Sequence, residues 1–387
     1  MPGFELFGKE EQEAINKLFD LNGCVMFAHG FDAIRNGVYR VREFEREFAK
    51  KMDIPYGLAV SSGSSALKVA LKALGIKKGD QVIAPSFTFI ATIEAILEAG
   101  AIPIIADIND TLNLCPKSFE ESITKKTKGV IPVHMMGAPA EMDKILAIAK
   151  KNQLWVLEDN AQACGGTHQG KLLGTIGDIG AFSLDATKTI TTGEGGIVLT
   201  SNNSLFIRAR SYHDHGHEYS STSPRGEENA LLTGFNFRMT EIQATIGLVQ
   251  LSKLDSILEK QRENKKKLKE FLSDLSYPFR RMADEKGEIG DSLIFFMETP
   301  EQALKFANEM LKFGCGTKNL PDAVRWHFSK HWGHMFTEHN FCEDWQHRWT
   351  QSAKLIERAI AIPIMVNMSD DKIQQIGETL LKISKKI

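Results

Sequence analysis

The chain has 387 residues, 42% of them hydrophobic, enough to bury a large core and to build two domains, or one large domain with a smaller appendage. A net charge of −2 offers no basic field for nucleic acid. Five scattered cysteines without CxxC spacing argue for a reducing compartment and against a disulfide frame or zinc knuckle. No basic segment leading into an apolar core opens the chain, and no uncharged apolar run reaches the roughly 20 residues of a membrane span, so a cytoplasmic protein without membrane contact is expected.

In chain order, Lys9 to Phe19 and Arg40 to Phe48 have helical spacing and form an N-terminal arm. From Tyr56 short apolar runs alternate with amphipathic helices. Strands are expected at Gly57–Val60, Gln81–Ala84, Ile102–Ala106, Gly129–Val133 and Leu154–Leu157, with helices at about Ala66–Leu74, from Phe89 to Ala99, and at Met142–Lys150. That alternation predicts βαβ units in a mostly parallel, doubly wound α/β sheet. Ligands in such sheets sit beyond the carboxyl ends of the strands. A long helical stretch is expected past Arg238–Glu241, with apolar residues at helical spacing over Ile246–Leu258 and a lysine-rich part over Gln261–Phe271, then a strand at Ser292–Met297 and a helix at Pro300–Phe313. A boundary is placed near residue 250, giving a large domain of residues 1–250 with the N-terminal arm and a small C-terminal domain of residues 251–387.

The chemistry concentrates in a few loops. Gly180 to Gly196 reads as strand, polar turn, strand, with Lys188 alone between Thr187 and Thr189 and followed by Gly193, Gly195 and Gly196. Glycine permits positive φ and close approach to a ligand. A lysine in a partly dry pocket can lose its proton and attack a carbonyl; a solvated loop lysine is the plain alternative. Ser61-Ser62-Gly63-Ser64-Ser65 lies between a strand and a helix, as a phosphate cup or as an ordinary serine N-cap. Glu158-Asp159-Asn160-Ala161-Gln162 ends a strand, where a carboxylate would hold a pyridinium nitrogen protonated, or simply cap a helix. Phe87 and Phe89 follow Pro85, one suited to stack on a flat ring and the other to the core. His213, His215 and His217, and then His327, His331 and His334, have the look of metal clusters, the second on one helix face if its segment is helical. A sugar pocket uses histidine and tryptophan as readily, and no metal is assigned.

Together the pieces resemble the DegT/DnrJ/EryC1/StrS family of pyridoxal-phosphate sugar aminotransferases. The resemblance is carried by Ser61–Leu67, Pro85–Thr92, Glu158–Gln162, Phe182-Ser183, Thr187-Lys188, Thr192–Gly196, His215-Gly216 and Gly234–Ala244. It implies a fold-type I, aspartate-aminotransferase-like architecture: a mostly parallel central sheet with helices on both faces and a smaller C-terminal α+β domain. It also implies roles. Lys188 would form the Schiff base with pyridoxal 5′-phosphate, Asp159 pair with the ring nitrogen, Gln162 lie near O3′ and Phe89 stack on the ring. Gly63, Ser64 and Ser183 would hold the phosphate, joined by Asn236 from the neighbouring subunit of a homodimer. Glutamate is the expected amino donor and a keto or aldehyde sugar the acceptor. Members with histidine in place of the lysine act as dehydratases; the intact Lys188 argues for transamination.

Pro2–Glu5, Arg35-Asn36, Arg42–Glu45, Asp178, Asp185–Ile190 and His213–His217 are similar to the subgroup of 8-amino-3,8-dideoxy-manno-octulosonate transaminases of lipopolysaccharide biosynthesis. That resemblance implies the acceptor 3,8-dideoxy-8-oxo-manno-octulosonate, with Arg35, His215, Arg238 and His327 as substrate-binding residues. A nucleotide-linked keto-6-deoxysugar is the alternative acceptor.

Overall fold

The structure, a computed structural model, describes residues 3–21, 23–220, 222–223, 225–321 and 324–387; Pro2 of the N-terminal motif lies outside them. Two helices, α1 (Lys9–Leu21) and α2 (Arg40–Lys51), precede the first strand. Then come β1 (Tyr56–Val60), α3 (Gly63–Ala73), β2 (Gln81–Pro85), α4 (Ala91–Glu98), β3 (Ile102–Ala106), α5 (Pro116–Glu121), β4 (Thr127–Val130), α6 (Met142–Lys151) and β5 (Trp155–Asp159). A small hairpin, β6 (Thr167–His168) with β7 (Lys171–Leu172), leads to β8 (Ile179–Ser183), β9 (Gly196–Thr200) and α7 (Asn203–Tyr212).

Seven strands form one sheet in the order β1-β9-β8-β5-β4-β2-β3. β9 runs antiparallel to both its neighbours, and the pairs β8-β5, β5-β4, β4-β2 and β2-β3 are parallel. The side-chain period of two sorts each strand between two layers. Leu58, Val60, Val82, Ala84, Ala181 and Val198 face the apolar residues of α3 and α4. On the other face, Ala59, Phe182, Ile197 and Leu199 meet α2 and the start of a long helix, while Ile83, Val130 and Val156 meet α5 and α6. Such strands, covered on both sides, read as continuous apolar runs.

The long helix is α8 (Glu241–Phe271), opened by a Thr240/Gln243 capping box. It is the long helical stretch expected past Glu241; nothing between Leu258 and Gln261 is a glycine or proline, so one helix runs through. Residue 250 lies inside it, with Gln250 buried against Glu11 and Thr191. Further along, Leu268 and Leu272 join a separate apolar cluster with β10 (Ser292–Phe296), α9 (Pro300–Lys312), β11 (Ala359–Pro363) and α12 (Asp370–Ser384). β10 and β11 form an antiparallel pair whose other face, with Ile294, Phe296 and Ala361, packs on the main core together with Phe328 and Trp332. Between α9 and β11 the chain forms α10 (Gly333–His339) and α11 (Thr350–Ile356). His327, His331 and His334 therefore do not share a helix face: their segment breaks into 3-10 turns at Val324–Trp326 and Ser329–His331 before α10. Among the described residues no three His, Cys, Asp or Glu side chains converge as for a metal, and no helix is long and apolar enough to cross a membrane.

Candidate active site

A cavity of about 550 Å³ opens beyond the carboxyl ends of the parallel strands. Ser62, Gly63, Ser64, Phe89, Asp159, Gln162, Ser183, Lys188 and His327 all line it. Its position follows from the topology, since β1, β5 and β8 deliver Ser62, Asp159 and Ser183 at neighbouring strand ends.

Ser62 caps α3: its Oγ accepts from Ser65 N–H at 3.0 Å. The following N–H groups point outward from a helix start, where the dipole favours an anion. A Cβ added at Gly63 would lie 2.6 Å from Ser183 Cβ, so only glycine lets this turn close against β8. Lys188 sits in the turn after β8. Its N–H donates to Asp185 O at 3.0 Å, and its carbonyl accepts from Gly3 N–H at 2.8 Å. The extreme N-terminus thus ties down the lysine loop, and a Cβ at Gly3 would strike Lys188 O at 2.6 Å. Gly193 takes φ +80° to turn the chain back into β9.

Asp159 and Glu158 are both buried and do different things. Glu158 is consumed by structure: it accepts from Gly174, Ile176 and Gly177 N–H and meets His134 Nε2 at 3.0 Å. Asp159 faces the cavity, with Thr92 Oγ1 donating to Oδ2 at 2.7 Å and Ala161 N–H to Oδ1 at 3.1 Å. Burial pushes its carboxyl above the ordinary range, opposed by Thr92, the Ala161 N–H and Lys188. Burial likewise pushes the Lys188 ammonium below the ordinary lysine range, with Asp185 and Asp159 pulling it up and Lys318 pushing it further down. Lys188 Nζ has no hydrogen-bond or ion-pair partner among the described residues, and Asp159 has no ion-pair partner among them. An amine and an acid, neither with an ion-pair partner among the described residues, therefore share one cavity.

Gln162 Oε1 accepts from Met136 N–H at 3.0 Å. Phe89 and His327 come together because residues 326–329 run beside 86–90: Thr88 N–H donates to His327 O and Ile90 N–H to Trp326 O, each at 2.9 Å. Their rings lie 5.4 Å apart. Phe87 is the core residue of the pair, fully buried.

Four expected residues lie outside the cavity. Asn236 is exposed on the segment before α8. His215 is exposed, in a left-handed backbone conformation. Arg238 pairs with buried Asp214, which also takes Arg225 and Tyr219 OH. Arg35 needs correction as a substrate-binding residue of this chain: it is fully buried, donates to Val38, Gly30 and Phe27 carbonyls, and pairs with Glu241 at 3.3 Å. A guanidinium so engaged has no face left for a ligand. Conversely, Thr92, Lys318 and Asn319 line the cavity without having been singled out. Thr92 lay at the end of a recognised motif; the 317–320 segment has no spacing that marks it.

A profile of the DegT/DnrJ/EryC1/StrS aminotransferase family matches residues 29–381. The chain is 41% identical over 224 residues to the GDP-perosamine synthase of Escherichia coli O157:H7, covering 58% of this chain and 60% of that protein, less than two thirds of its length. It is 31% identical over 360 residues to the spore coat polysaccharide biosynthesis protein SpsC of Bacillus subtilis, covering 89% and 90% of the two chains. Among solved structures, an aminotransferase from Psychrobacter cryohalolentis superposes with a TM-score of 0.88 at 29% identity, covering 98% of both chains.

Proposed function

Since the chain belongs to the DegT/DnrJ/EryC1/StrS aminotransferase family, we propose that it is a pyridoxal-phosphate-dependent aminotransferase that moves an amino group, with glutamate as donor, onto the carbonyl carbon of a sugar. One observation carries the reading: among the described residues Lys188 Nζ has no hydrogen-bond or ion-pair partner and the buried acid Asp159 has no ion-pair partner, and both line a cavity whose wall includes the start of α3.

The residues present fit the cofactor. The α3 N–H groups at Gly63 and Ser64, with Ser183 Oγ, would receive the phosphate. Asp159 would pair with the ring nitrogen and keep a proton there, gaining the cationic neighbour its burial leaves it without. Phe89 would lie against the ring, and Gln162 near its hydroxyl. Bound there, pyridoxal phosphate supplies the electron sink through which an amino group passes from donor to acceptor. Lys188 Nζ, held toward its neutral form by burial, would hold the cofactor's carbonyl carbon and, once released from it, would take a proton from the donor's Cα.

The unit we propose is a homodimer, with Asn236 reaching the partner's phosphate site; the exposure of Phe235 (62%) and Phe31 (60%) supports a covered face. The division near residue 250 into a large and a small unit, with α8 connecting them, belongs to the same proposal. For the acceptor we propose 3,8-dideoxy-8-oxo-manno-octulosonate, on the motif resemblance. A nucleotide-linked keto sugar is the second reading, favoured by the likeness to a GDP-perosamine synthase.

Treating the protein with pyridoxal phosphate and then borohydride should leave a pyridoxyl mass on the Lys188 peptide. With glutamate, a panel of the octulosonate aldehyde and nucleotide-linked 3-keto and 4-keto sugars then identifies the acceptor by product mass. Labelling elsewhere, with Lys188 unmodified, would reject the reading.

A further inference from the structure

The cavity holds a second cation. Lys318 lies between α9 and β11, its backbone N–H donating to Ala361 O at 2.8 Å. Its Nζ pairs with Asp291, whose side chain has no exposure, while that of Lys318 keeps 11% and lines the cavity. Asp291 is set in turn against residues 135–137, whose Met136 N–H donates to Gln162 Oε1: a Cβ at Gly137 would meet Asp291 Oδ1 at 2.7 Å, and the neighbouring Ser292 Oγ donates to Met136 O at 3.3 Å. None of these contacts involves Ser62, Gly63, Ser64 or Ser183. The cavity thus has two places for an anion, one at the start of α3 and one at Lys318.

An ammonium group has three donors. Asp291 is the only hydrogen-bond or ion-pair partner of Lys318 Nζ among the described residues. A buried ion pair that served stability alone would be replaceable by apolar side chains at little cost. This one is held on a cavity wall with N–H groups left over, beside Asn319 Nδ2 and His327 Nε2, which lie 3.5 Å apart. The arginines and histidine first expected to meet an acidic substrate lie elsewhere: Arg35 and Arg238 are committed to Glu241 and Asp214, and His215 is outside the cavity.

We propose that Lys318, oriented by Asp291, is the residue of this cavity that binds a substrate carboxylate, with Asn319 and His327 completing the subsite. This rests on the aminotransferase reading and deepens it, because a carboxylate subsite separate from the phosphate site selects an acidic substrate. The carboxylate belongs either to an acidic sugar or to the amino donor.

The test uses the full chain loaded with pyridoxal phosphate and compares Lys318→Met with wild type in two arms. One measures kcat/KM for the octulosonate aldehyde and for its methyl ester. The other measures the half-reaction with glutamate alone, by the change in cofactor absorbance. Losing a hydrogen bond to a charged group corresponds to about a tenfold to hundredfold change. A fall of that size in the acid-to-ester ratio, carried by KM, places the sugar's carboxylate at Lys318. A rise of that size in the glutamate concentration at half-maximal rate places the donor's there. Lys318→Met/Asp291→Asn, which leaves no unpaired buried charge, should reproduce whichever change is seen. If both quantities stay within about twofold while borohydride still labels Lys188, this inference is overturned and the aminotransferase reading stands. If Lys188 takes no label, both fall.

Discussion

Thr92 offers a sharp test of how the cavity's acid is held. Its Oγ1 donates to Asp159 Oδ2 at 2.7 Å and meets Thr88 Oγ1 at 2.7 Å, and its side chain is fully buried. Thr92→Val keeps the shape and removes the hydroxyl. A hydrogen bond to a charged group contributes about 1.5–3 kcal/mol. Losing it from the ionised form alone pushes the Asp159 carboxyl further up. That carboxyl already lies above its ordinary range through burial. More of it is then protonated at neutral pH and unable to pair with a protonated ring nitrogen. We expect the dissociation constant for pyridoxal phosphate, read by titrating the unloaded chain in absorbance, to rise about tenfold, with the loss shrinking as pH is raised. Thr92→Ser, which keeps the hydroxyl, should stay near wild type. A valine variant that binds the cofactor within twofold of wild type at neutral pH would refute the assigned role.

Three further outcomes are expected. Arg35→Met leaves Glu241 buried without its guanidinium and should destabilise the chain by about 3–5 kcal/mol in denaturant melts; a higher KM for the sugar with unchanged stability would instead restore Arg35 as a substrate residue. Gly63→Ala forces its Cβ against Ser183. Overpacking of that kind costs about 1–3 kcal/mol, so the melting temperature should fall and so should the stabilisation given by added pyridoxal phosphate; a cofactor-induced shift equal to wild type would count against the phosphate cradle. The third concerns Lys188, whose pKa in the folded chain lies below its ordinary 10.5. Between the two values the unfolded chain binds more protons, so stability of the unloaded protein should rise with pH through that window. Lys188→Met should abolish that rise, and melts of the two proteins that stay parallel up to pH 10.5 would show that burial does not govern the amine.

Much of the fold and the centre of the cavity were legible from the chain. Alternation of apolar runs with amphipathic helices exposes βαβ units because strands covered on both faces must be apolar throughout. Ser62, Asp159 and Lys188 could be picked out because each lies where a strand ends and chemistry collects. Even so, spacing left each of them two readings, and only packing showed Asp159 facing the cavity while its neighbour Glu158 was absorbed by the N–H groups of residues 174–177. The division of labour between Phe87 and Phe89 was decided in the same way, by which ring the 326–329 segment covers.

What depended on residues far apart in the chain had no local signature. Arg35 looks like a free cation, yet Glu241, 206 positions later, encloses it. Lys318 looks like an ordinary loop lysine, yet Asp291 and the approach of β11 turn it into the cavity wall. Local pattern determined the strands, the helices and the loops in which chemistry gathers, since those follow from periodicity and backbone preference. Which charges are spent on holding the fold and which are left to meet a ligand was decided only when the chain closed on itself, because a cation's availability is set by the partners that tertiary packing brings to it.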